Sequence, residues 1–137
     1  MIVVRLLLCF AMVCVPIVLL VAASRRAENL IYLMFPIVGG IPAALTALLV
    51  FAPLERVLQA RGLAHVQNIA IPLAGALAVV AGLLVSLAAS GKLARLPARI
   101  ARDPANVLGA MLGTSLAGAA WGALWRLSAA AVTRLGW

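Results

Sequence analysis

Long apolar stretches alternate with short polar ones along this chain, and the alternation predicts its elements. Four stretches carry no Asp, Glu, Lys or Arg: Leu6 to Ser24, Asn29 to Leu54, Gly62 to Gly91 and Pro104 to Trp125. About 20 apolar residues make a helix that crosses the hydrocarbon of a bilayer, and each stretch is of that order. Lipid offers backbone N–H and C=O groups no partner, so each stretch must close its hydrogen bonds internally. The pattern predicts an all-α fold, an integral membrane four-helix bundle with short interfacial helices in the connections. Helices are expected over about 2–24, 30–52, 63–89 and 105–126 of a single transmembrane domain, 1–137.

The first stretch has the outline of a secretory leader, with Arg5 before the apolar run and Ala22-Ala23-Ser24 after it. Its apolar part is longer than most leader cores, so it is read as the first span, kinked at Pro16. In the second stretch, Pro36, Gly39, Gly40 and Pro42 predict a helix break near mid-membrane. Each proline removes a backbone donor and crowds the carbonyl four residues back, here those of Tyr32 and Val38. An interior proline costs about 3 kcal/mol and a glycine about 1 in water, so the rest of the chain is expected to shield this segment. After it, Pro53 is expected to start a short surface helix over Leu54 to Ala60. Leu54, Val57 and Leu58 would share its membrane face, with Glu55, Arg56 and Gln59 turned to water.

The third and fourth stretches carry small residues at steps of four, which keep to one helix face and let another backbone come close. Ala74, Ala78, Gly82 and Ser86 form one such row; Gly109 with Gly113, and Gly118 with Gly122, form two more. They are expected to be contact surfaces, with each other or with a partner subunit. Trp121 and Trp125, one turn apart and followed by Arg126, are expected to anchor the fourth span at the headgroup layer. Between these spans Lys92, Arg95, Arg99 and Arg102 lie opposite Leu93, Leu96 and Ile100. That pattern predicts a basic helix in the membrane plane, touching anionic headgroups.

Composition agrees with the pattern. The chain is 66% hydrophobic and 10% charged, which excludes an ordinary soluble domain, and four spans leave no length for a soluble catalytic one. Its net charge of +8 falls in the turns, so lipid and not nucleic acid is the expected counterpart. Six basic residues lie on the side of Arg25 and Lys92, five on the side of Arg5 and Arg56. The compact loops favour the first side as cytoplasmic, and the near balance permits the inverse. A bias to Arg over Lys and to Ala points to a high-GC bacterium, hence a bacterial inner membrane.

Candidate chemistry is sparse. No stretch holds an ionisable residue at depth, where pumps and coupled transporters place theirs. Cys9 and Cys14 are five apart and point in different directions on a helix, a poor disulfide or metal pair. His65 is the single histidine, so a haem ligand pair cannot be assembled from histidines. No zinc spacing, phosphate loop or carboxylate pair is present in the sequence. These features predict a non-catalytic accessory subunit without a cofactor, packing on a larger integral-membrane subunit or on its own copies. The alternatives are a small oligomeric transporter, channel or lipid-flipping protein with its path at Pro36 to Pro42, and a haem- or quinone-binding anchor using His65.

Overall fold

The computed structural model describes residues 1–136, with the side chain of Phe35 outside the description. It is an all-α bundle in which four helices are long and apolar enough to cross a membrane. In chain order these are α1 (Ile2–Ser24), α2 (Ala27–Ala60), α3 (Gln67–Ala89) and α5 (Pro104–Arg134); α4 (Leu96–Arg102) is a short helix before the last. The chain is thus a multi-pass membrane protein.

The turns follow from local chemistry. Gly62 and Gly91 have φ of 71° and 69°, a left-handed conformation that glycine adopts without a Cβ clash. Behind each the chain folds back on its helix: the N–H of Leu63 donates to Leu58 O at 2.8 Å and that of Lys92 to Leu87 O at 2.9 Å. Asp103 opens α5 by accepting from the Asn106 backbone N–H at 3.5 Å and the Asn106 amide at 2.6 Å. At 31 residues α5 runs well past the expected end near 126, to about 46 Å at 1.5 Å per residue.

The expected break at Pro36 to Pro42 is not there. A 3₁₀ segment (Ala27–Leu33) leads into regular α-helix over Met34–Thr46, which contains Gly39, Gly40 and Pro42. Pro36 falls in the first turn of that helix, where a missing N–H leaves no bond unmade. The irregularity lies further on, a π-turn over Ala47–Phe51 in which the Ala52 N–H donates to Ala47 O, five residues back. Pro53 offers no N–H to the Leu49 carbonyl and crowds it, and the wider turn just before it absorbs that conflict without ending the helix. The expected surface helix over Leu54 to Ala60 is therefore the last part of α2. Nor is the segment fully shielded, since Ile37, Val38 and Ile41 are exposed on its outer side.

Packing is unevenly distributed. Every fully buried residue among those described lies towards one end of the bundle: Cys9 in α1, Ala47 to Glu55 in α2, Gln67, Ile71 and Gly75 in α3, and Gly118 to Val132 in α5. At the other end the helices lie against one another only loosely. The central seam joins α3 to α5. A Cβ on Gly75 would run into the Gly118 carbonyl, and one on Gly122 would stand 2.7 Å from Ile71 O. Only glycine lets the two backbones come this close.

Candidate functional site

The packed end is built around one carboxylate. Glu55, expected to face water, is 6% exposed, because the π-turn and the continuing helix carry its side chain inward. All four spans supply its surroundings. From α1, Arg5 Nη1 donates to Glu55 Oε2 at 2.7 Å and Nη2 to Oε1 at 3.4 Å. From α5, Arg126 Nη1 donates to Oε1 at 2.6 Å and the Trp125 indole N–H to Oε2 at 3.3 Å. From α3, Gln67 Nε2 donates to the Glu55 backbone carbonyl at 3.1 Å, and Asn68 Oδ1 accepts from Arg126 Nε at 3.1 Å.

Contacts beyond the carboxylate hold the cations in place. Arg5 lies over the Trp125 ring, 4.0 Å from its centroid, and also donates to the Trp125 carbonyl at 3.0 Å and to Ser128 Oγ at 3.5 Å. Trp125 in turn packs on Phe51, ring centroids 6.3 Å apart, and both are fully buried. No buried side-chain polar atom among the described residues lacks a hydrogen-bond partner. Removing one member of such a buried ion cluster strands the others and costs about 3–5 kcal/mol. The arrangement is a clamp: it fixes the rotation and height of each span, with one net positive charge from two guanidiniums and one carboxylate. An open cleft of about 370 Å³ lined by Arg5, Glu55, Arg56, Gln59 and Thr133 reaches its outer edge.

The expected tryptophan anchors are corrected by this geometry. Trp125 is fully buried, and Trp121 turns into the bundle, donating to Ala43 O at 3.0 Å with its ring 5.5 Å from Phe10. Arg126 pairs with the carboxylate. The expected row on α3 is also displaced. Ala74 and Ala78 are half-buried, Ser86 is exposed and Gly82 has no neighbour, whereas Ile71 and Gly75, one position along from the row, make the contact. Gly118 and Gly122 do face α3; a Cβ on Gly109 or Gly113 would meet nothing within 4 Å.

Pro36, Gly39, Gly40 and Ala43 line a groove of about 190 Å³ together with Phe10 and Trp121. Lys92, Arg95, Arg99 and Arg102 are exposed together on the connection before α5, partly in α4. His65 is exposed in the 3₁₀ turn Ala64–Val66 that leads into α3. Among the described residues no three His, Cys, Asp or Glu side chains gather at one point.

Sequence reasoning missed the clamp although a signal was present. Arg5 immediately precedes the first charge-free stretch, Glu55 immediately follows the second and Arg126 immediately follows the fourth. Spans alternate in direction, so all three belong to one membrane face, and Glu55 is the acid between two bases there. No family model matches the chain, and no curated protein or solved structure matches it either.

Proposed function

We propose that the protein is a non-catalytic accessory subunit of a larger membrane complex, clamped at one end and docking through the other. The carrying observation is the one-sided distribution of burial: each buried residue lies towards the clamp, and none lies in the half that holds Ser24, Asn29, Gly82 and Gly109. Apolar faces alone would be satisfied by lipid. A groove lined by Pro36, Gly39 and Ala43 is different, because small residues let a partner helix approach to backbone distance, while Gly40 beside them faces the chain's own Phe10. The composition further supports a bacterial inner membrane, and the basic connection supports contact with anionic lipid.

The transporter reading has less support, since the segment meant to offer unwound carbonyls is helical over Met34–Thr46. A direct test is native mass spectrometry of the protein extracted in mild detergent, for the parent chain and for Gly39→Leu. A Cβ on Gly39 would meet nothing within 4 Å, so a side chain there starts into open space. The parent is expected in fixed stoichiometry with a larger membrane subunit that the variant loses. A homogeneous homo-oligomer that moves solute in liposomes would refute the proposal.

A further inference from the structure

A groove runs from the basic connection down between α3 and α5. Its mouth, about 490 Å³, is lined by Lys92, Arg95, Arg99 and Arg102. It continues as a crevice of about 390 Å³ walled by Leu83, Leu87, Val107 and Met111. The two spaces share Leu87, Leu96 and Arg99, so a molecule charged at one end and apolar along its length fits both at once. We propose that this groove holds one anionic phospholipid, its phosphate on the Arg99 guanidinium and one acyl chain in the crevice.

Charge complementarity selects the occupant. Four exposed cations meet at the mouth, and among the described residues neither ion pair involves any of them. The acid beside them, Asp103, is occupied by Asn106 at the start of α5. A guanidinium presents a planar fork that matches two phosphate oxygens, and the neighbouring cations add field to that point. Position selects it too. The mouth sits where α3 ends and α5 begins, at headgroup height, and the crevice descends from there into the hydrocarbon. Gly109 and Gly113 stand on the opposite side of α5 from Val107 and Met111, so the lipid leaves that face of the helix free.

The inference rests on reading the basic connection as a lipid-facing surface, and the test separates the two. The protein in detergent is titrated with phosphatidylglycerol or phosphatidylcholine of equal chain length, and bound lipid is counted by native mass spectrometry. One phosphatidylglycerol per chain is expected, preferred over phosphatidylcholine. Arg99→Gln is expected to weaken it about five- to tenfold, the loss of one cation near an anionic group. Ala110→Phe, which fills the crevice from an exposed position, is expected to weaken it comparably with every cation in place. Arg56→Gln, at the far end of the bundle, is the control and should change nothing. Equal binding of the two lipids would overturn the site together with the lipid-facing reading. A phosphatidylglycerol preference that survives Ala110→Phe, or falls as much with Arg56→Gln, would overturn the site alone and leave diffuse charge. Unchanged helical circular dichroism confirms that each variant remains folded.

Discussion

The two ends of this bundle are made from the same residue types and differ in what holds them. At the clamped end Gly75 and Gly118 bring backbones together, Phe51 and Trp125 fill the space beside them, and Glu55 ties α1, α2 and α5 by charge while Gln67 and Asn68 bind α3 to them by hydrogen bonds. At the open end Gly82, Gly109 and Gly113 meet nothing, and Leu20, Ile37 and Leu112 face outward. In water such an end would collapse, because apolar surface would drive it. In lipid no such force acts between helices, so only specific fit and hydrogen bonding close a bundle. The comparison teaches that fold and docking can be assigned to separate ends of one small membrane protein.

The sharpest way to break that division is at the carboxylate. Glu55→Ala leaves Arg5 and Arg126 without their counter-ion and is expected to lower stability by about 3–5 kcal/mol, read from thermal unfolding in detergent by tryptophan fluorescence. Gly118→Val forces a side chain against the Gly75 carbonyl and should cost about 1–3 kcal/mol or more, with the α3 to α5 distance increased in cross-linking or spin-label measurements. Trp125→Phe keeps most of the ring but removes one N–H to a charged acceptor, an expected loss of about 1.5–3 kcal/mol. Gly113→Leu at the open end should not destabilise the isolated chain and, by helix propensity, should raise its stability by up to about 1 kcal/mol. A loss there as large as at Gly118 would remove the distinction between the ends.

How much of this was legible follows from the same physics. The spans were, because hydrocarbon length and backbone satisfaction leave little choice for a chain this apolar. The clamp was not, because a search for charge-free stretches ends at Leu54 and Trp125, one residue short of Glu55 and Arg126. Its members lie 50 and 71 positions apart in sequence, and only the packed helices bring them within hydrogen-bond reach. The small-residue seam was half legible. Gly118 and Gly122 stand out at a step of four, but in α3 alanine is so frequent that the row through Ala74 and Ala78 hides the contact position at Gly75. Trp121 and Trp125 misled for a related reason: an aromatic near a helix end serves a headgroup or a neighbour equally, and the neighbour decides. Pro36 misled because a proline in the first turn leaves no bond unmade, and Pro42 because one proline in a helix need not unwind it.

The Arg5 to Glu55 pair has a consequence for how the protein is made. Both partners lie in the first two spans, so a nascent chain can neutralise its carboxylate as a helical hairpin before the later spans have left the ribosome. Arg126 then arrives last, as a closing latch on a charge already matched. Insertion assays on chains cut after Ala60 should therefore show the hairpin entering the bilayer, and Arg5→Ala should delay it where Arg126→Ala, absent from such a chain, cannot.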